Sequence, residues 1–217
     1  MNDYTTADKK LAELWIVRHG QTESNQEGIF QGQSDSALTD LGKKMAADYA
    51  KKIQEINFAA IFSSDLGRAV ETAEIIALER DIQIQTTALI RERHLGILQG
   101  QRHDSLTKQL QNLLEKLDKI KKENDVPAGT KIEPVEKMNQ RIMTFLRETA
   151  VAYPGKKVLI ITHGGVIGHL LVKLAYKNIK KYRELKLYNL ATVILQSDGT
   201  DFFIKDTKNL ELRSDHK

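Results

Sequence analysis

Two apolar runs in this chain end the same way. "LWIV" at 14–17 stops at Arg18-His19-Gly20, and "VLIIT" at 158–162 stops at His163-Gly164-Gly165. Each run reads as a buried strand that delivers a histidine and a glycine at its end. In open α/β sheets, ligands bind outside the carboxyl ends of the strands. Two such strands lying parallel in one sheet would put both His-Gly corners on the same edge. Each glycine lets backbone N–H groups approach a ligand closely. The helix or turn start that follows offers unpaired N–H donors and a positive dipole end, which suits an anion. Arg18 adds a fork of donors matched to phosphate oxygens.

The rest of the chain supplies a sheet of that kind. A first strand is expected at 12–18. Thr39 can cap a helix whose apolar positions Met45, Ala46, Tyr49, Ala50 and Ile53 fall at helical spacing. "FAAIFSS" reads as a buried strand ending near Ser63, Ala69, Thr72, Ala73 and Ile76 form a helical stripe, and "IQIQT" alternates as a short strand. Strand, helix, strand, helix, strand is the pattern of a sheet built through crossovers. "NLATVILQ", "SDGT" and "DFFIKD" then read as a hairpin, with Asp198-Gly199 suited to a turn needing positive φ. The expectation is a three-layer α/β/α fold with a mixed, mostly parallel sheet of about six strands.

Between about 101 and 151 the pattern departs from strand–helix alternation. Leu106, Leu110, Leu113, Leu114, Leu117 and Ile120 make an apolar stripe, which predicts an amphipathic helix over 105–123. A loop broken by Pro127, Gly129 and Pro134 follows, then a second helix over about 134–151. This helical excursion either caps the site or packs against the sheet. At 217 residues the whole chain, 1–217, reads as one domain.

Composition narrows the function. Hydrophobic residues are 41% of the chain, enough for a core, and the 29% that are charged are mixed in sign, so global disorder is not indicated. A net charge of +4 raises the local concentration of anionic partners. Nucleic acid is not expected, because no basic stripe is interleaved with aromatics. Absence of cysteine rules out disulfides, thiolate metal sites and a cysteine nucleophile. No apolar run approaches the roughly 18 residues of a membrane span, and "MNDYTTADKK" has no hydrophobic signal core. A soluble, cytoplasmic protein is expected. The closing "LRSDHK" reads as a solvated tail, and nothing in the pattern bears on oligomeric state.

Two more residues follow strand ends. Arg68 opens the helix after "FAAIFSS", and Glu92 lies a few residues past "IQIQT". Two arginines, two histidines and one carboxylic acid at successive strand ends make a pocket for a tetrahedral dianion with a nucleophile and an acid. His19, His94 and His163 offer ring nitrogens, but neighbouring arginines repel a cation, so neither a metal nor a cofactor is expected.

On these residues the sequence resembles the histidine phosphatase superfamily, in its phosphoglycerate-mutase-like branch. The matching segments are "RHGQTESN" at 18–25, "FQGQSDSALTDLG" at 30–42, "FSSDLGRAVETA" at 62–73, "RERHLGILQG" at 91–100 and "THGGVI" at 162–167. The resemblance implies that His19 is the nucleophile that becomes phosphorylated. It implies that Arg18, Arg68 and His163 hold the phosphoryl group, and that Glu92 protonates the leaving oxygen. Asn25, Gln31, Gly32 and Gly164 would add phosphate or substrate contacts. Glu92 must start protonated and then take a proton from water, so the rate is expected to peak on the acidic side of neutrality.

Members of this branch either give the phosphoryl group to water or return it to a bound sugar acid. A mutase must grip the substrate carboxylate, which in the phosphoglycerate mutases involves a basic residue after the "GLQG" segment and paired arginines in the insert. Here Arg102 follows "ILQG", while residues 105–133 are lysine-rich and contain no arginine. The expectation is therefore a phosphatase acting on a small phosphorylated substrate. A cofactor-dependent phosphoglycerate mutase is the alternative. A non-enzymatic phosphate-binding scaffold ranks below both, since the nucleophile and acid positions are filled.

Overall fold

The computed structural model describes residues 10–213. The chain runs β1 (Ala12–Arg18), α1 (Glu23–Glu27), α2 (Asp40–Lys52), β2 (Ala60–Ser64), α3 (Gly67–Ala77) and β3 (Ile84–Thr87). It continues with α4 (Lys108–Lys116), α5 (Val135–Ala152), β4 (Lys157–Thr162), α6 (Gly164–Lys173), β5 (Leu185–Ser197) and β6 (Phe202–Leu212), with short 3-10 turns between. The strands form one sheet in the order β3-β2-β4-β1-β5-β6. β1, β2, β3 and β4 are parallel, and β5 runs antiparallel to β1 and β6.

Both faces of the sheet are covered, which is why β1 and β4 read as unbroken apolar runs. Leu14, Ile16, Val158 and Ile160 pack beneath α5 and α6 on one face. Trp15, Val17, Leu159 and Ile161 pack beneath α2 and α3 on the other. Thr39 caps α2 as expected, its hydroxyl accepting from the Gly42 N–H at 2.9 Å.

The register of β1 against β4 decides where the chemistry falls. Arg18 stands opposite Thr162, and the His19 N–H donates to the Thr162 carbonyl at 2.9 Å. The two His-Gly corners therefore leave the sheet side by side at one edge.

The 101–151 stretch divides. Residues of α5 (Met138, Ile142, Phe145, Leu146) belong to the main core under the sheet. Leu98, Leu113, Leu117, Ile120 and Ile132 make a separate cluster beside it. The stripe over 105–123 is shorter as a helix than its spacing predicts. α4 ends at Lys116, and one 3-10 turn covers Leu117–Lys119. Where the chain leaves the helix it meets Arg93, whose guanidinium donates to the Leu117 carbonyl at 3.2 Å and the Ile120 carbonyl at 3.1 Å. A residue distant in sequence thereby takes over the carbonyls of the final turn.

The hairpin extends beyond its expected ends. Residues 198–201 join its strands, with Gly199 at φ +93°. Its register shifts between Leu187 and Thr192, where Leu190 adopts φ +58°, and Asn209 opposite adopts the same angle. No helix among the described residues is long and apolar enough to cross a membrane. Residues 214–217 of the expected tail, and residues 1–9, lie outside the described residues.

Candidate active site

His19 is 3% exposed and leaves the end of β1 with its ring pinned. Nδ1 lies 2.7 Å from the Gly20 carbonyl, which can only accept, so the ring proton sits on Nδ1 and the lone pair on Nε2. Burial, then the neighbouring Arg68 and Arg18 charges, push the His19 pKa well below the ordinary histidine value. The ring is neutral at pH 7, with a free nitrogen for attack.

His163 stands at the start of α6, its ring centroid 5.3 Å from that of His19. It is fully buried, and neither ring nitrogen has a hydrogen-bond partner. Its pKa too lies well below the usual value, driven by burial and then by Arg68. Arg68, 2% exposed on the first turn of α3, spends Nη1 on the Ser34 carbonyl at 2.8 Å and Nη2 on the Gly32 carbonyl at 2.7 Å. Arg18 donates Nη1 to the Leu187 carbonyl. Both keep a buried Nε without a partner. Among the described residues, five buried side-chain atoms lack partners: these two, the two nitrogens of His163, and Gln31 Oε1. Buried polar groups are rarely left so. Four of the five are nitrogens on the groups flanking His19, which is the signature of a site for an anion with several oxygens.

Glu92 completes the ring. Its Oε1 accepts from the Arg93 N–H at 2.8 Å and its Oε2 from the Gly165 N–H at 2.9 Å. Its carboxylate acts electrostatically on both Arg18 and Arg68. The glycines serve this arrangement differently from the expectation. The Gly20 N–H goes to the Thr72 hydroxyl at 3.0 Å, and the Gly165 N–H to Glu92, so neither is offered to a ligand.

A cavity of about 330 Å³ opens over these groups, with Arg18, His19, Asn25, Gln31, Gly32, Arg68, Glu92 and Gly164 among its walls. His163 lies beneath this wall. Arg102 does not reach it. Its guanidinium is exposed and pairs with Asp104 at 3.2 Å, while its backbone bridges to Ile29. His94 also turns away, its Nδ1 against the Lys131 carbonyl at 2.8 Å. Among the described residues no cluster of three His, Asp or Glu could hold a metal ion.

Three supporting groups were not anticipated from sequence. Thr72 ties the loop after β1 to α3, accepting from Gly20 N–H and donating to the Arg68 carbonyl at 2.6 Å. Asn189 donates to the His19 carbonyl at 3.2 Å and to Asn25 Oδ1 at 3.3 Å. Arg141 of α5 donates to the carbonyls of Leu89, Arg91 and Glu92 at 2.8, 2.7 and 3.0 Å, and pairs with Glu133 at 2.8 Å. Thr72 was visible only as a member of the α3 stripe. Asn189 and Arg141 carried no local signal.

The sequence pattern of the histidine phosphatase superfamily, branch 1, matches residues 14–210. The chain belongs to this superfamily. Phosphoglycerate mutase-like protein 4 of Arabidopsis thaliana is 34% identical over 169 residues, covering 77% of this chain and 73% of that protein. The structure of Bacillus stearothermophilus YhfR superposes with a TM-score of 0.78 at 30% identity, over 91% of this chain and 96% of that one. A mycobacterial glucosyl-3-phosphoglycerate phosphatase, in complex with VO3, gives a TM-score of 0.77 at 25% identity, over 91% and 98%. The chain thus resembles both a protein named as phosphoglycerate mutase-like and one named as a phosphatase.

Proposed function

We propose that this chain, acting as one domain in the cytoplasm and without a metal ion, hydrolyses small phosphomonoesters through a phosphohistidine on His19. The observation that carries the reading is the gathering of unpartnered buried nitrogens on Arg18, Arg68 and His163 around a neutral His19 ring. Nε2 attacks phosphorus in line, and the bond from phosphorus to the ester oxygen breaks as the new N–P bond forms. The arginines and His163 stabilise charge on the equatorial oxygens. Glu92 gives its proton to the departing alcohol oxygen. A water molecule then attacks the phosphohistidine, its proton passes to Glu92, and inorganic phosphate leaves with His19 restored.

The mutase reading draws on the name of the Arabidopsis relative. A mutase needs a firm second grip on its substrate's carboxylate. Arg102 is turned to Asp104, and among the described residues of 105–133 only Leu117 lines the cavity. Hydrolysis is the reading these placements support.

The test is phosphate release from small phosphomonoesters without added metal, together with trapping of an acid-labile phosphohistidine. His19→Ala should abolish both. Interconversion of phosphoglycerates with no phosphate release would establish the mutase instead. Absence of both turnover and phosphohistidine would leave a binding scaffold.

A further inference from the structure

Beyond the phosphate end, the cavity changes character. Ile29, Phe30, Leu95, Tyr182, Leu185 and Leu187 add an apolar wall to its lining. His103 stacks on Phe30 with ring centroids 3.9 Å apart, and His169 stacks on Tyr182 at 4.7 Å. Neither histidine brings a charge at neutral pH. Burial holds His103 below the ordinary value, and burial with Arg93 and Arg183 holds His169 at about 3.

The distribution of cations is the more telling feature. The chain carries 33 Lys and Arg residues, yet among the described residues no lysine lines this cavity. Four arginines do. Arg18 and Arg68 belong to the phosphate end. Arg93 is 3% exposed and directs its guanidinium at the carbonyls of Leu117, Ile120 and Glu133, the last at 2.7 Å. Arg213 is exposed, with Nε against the Leu185 carbonyl at 3.3 Å. A second phosphate would need a second cluster of charge-assisted donors; among the described residues the lining away from Arg18 and Arg68 offers one exposed guanidinium, Arg213, beside the carbonyl-bound Arg93. An uncharged apolar body, by contrast, would bury surface there at about 25 cal/mol per Å². At about 330 Å³ the cavity is at the small end for organic ligands, room for a phosphate and a modest ring or chain.

We infer that the substrate class is a phosphomonoester with one phosphate and an uncharged, largely apolar alcohol part that lies against Phe30, Tyr182 and Leu187. The inference rests on the phosphate end being the seat of phosphoryl transfer, as proposed above. It goes further by excluding bisphosphates and polyanionic sugar acids as preferred substrates.

Three esters of primary alcohols separate these classes without changing the leaving group much: 3-phenylpropyl phosphate, glycerol 1-phosphate and propane-1,3-diol bisphosphate. The expected order of kcat/KM has 3-phenylpropyl phosphate at least tenfold above the other two. Leu187→Lys, which places a cation on the apolar wall, should narrow its lead over the bisphosphate by about tenfold. Leu187→Ala, with no new charge, should weaken the phenylpropyl ester without favouring the bisphosphate. Calorimetric binding of 3-phenylpropylphosphonate and propane-1,3-bisphosphonate gives a readout independent of turnover. A bisphosphate preferred or equal in either measurement overturns the inference. Tighter binding of the phenylpropyl compound with no phosphate release from any ester would sustain it while overturning the phosphatase reading.

Discussion

Replacing Gly165 by alanine should disarm the acid while leaving the nucleophile in place. A Cβ at this position would meet Glu92 Oε1 at 2.3 Å, Cδ at 3.0 Å and Oε2 at 3.1 Å. Non-bonded atoms settle near about 3.5 Å, so the carboxyl must retreat by about 1 Å. A displacement of that size costs a positioned catalytic group about 100-fold, or roughly 2.7 kcal/mol of barrier. The backbone does not suffer, because Gly165 lies in α6 and alanine is the better helix former by about 1 kcal/mol. The assay is kcat/KM, which reports the steps through His19 phosphorylation, on two esters. An alkyl phosphate needs its departing oxygen protonated and should lose about 100-fold. p-Nitrophenyl phosphate releases a stable anion and should lose no more than about fivefold, since general acid catalysis contributes little when the leaving group needs no proton. An equal loss on both esters, or full activity on the alkyl ester, would refute Glu92 as the acid. A melting temperature unchanged or raised would confirm that the fold is intact.

Two other outcomes follow from the buried charges. Arg141→Lys keeps a cation but not the five-donor fork that secures the carbonyls of residues 89, 91 and 92. It should lower kcat/KM for alkyl phosphates by about tenfold or more and spare p-nitrophenyl phosphate, whereas a purely structural role would depress both alike. Acid should also destabilise the protein early. His169 takes a proton only near pH 3 when folded, but near 6.5 when unfolded. As pH falls below 6.5 the unfolded chain binds protons that the folded chain refuses, so stability declines from there down to about pH 3. At pH 5 this group alone removes about 2 kcal/mol, and His19 and His163, also depressed, act in the same direction. Urea unfolding at pH 7.5 and 5 measures the difference, and equal stabilities would contradict the neutral burial of these rings.

Some of the site was legible because its signals are local. A strand buried on both faces must be apolar throughout, so a histidine at its end is conspicuous, and glycine beside it marks a close approach. The groups that steady the site were silent because their partners are backbone carbonyls far away in the chain. Arg141 looks like any helix arginine, and Leu187 offers Arg18 a carbonyl, which no side chain reveals. Asn189 reaches His19 beside a register shift and a left-handed Leu190 that an alternating pattern does not announce. Arg102 illustrates the converse. Its place after "ILQG" favoured the pocket, but Asp104, two residues on, captures its guanidinium at the surface. The stripe over 105–123 overstated α4, since periodicity counts apolar positions and does not register where the chain turns out of the helix, here where Arg93 meets the Leu117 and Ile120 carbonyls.

The pairing of β1 with β4 has a consequence for how the molecule comes into being. Arg18 and Thr162 are neighbours in the sheet but lie 144 residues apart in sequence. Contacts of such long range form late and slowly. During synthesis His19 emerges well before residues 157–162, so the surroundings described for it are incomplete until β4 has been made and inserted between β1 and β2. A nascent or partly folded chain therefore carries an ordinary, solvated histidine. On the proposed mechanism, reactivity begins only when the centre of the sheet closes, so folding itself exercises quality control over His19.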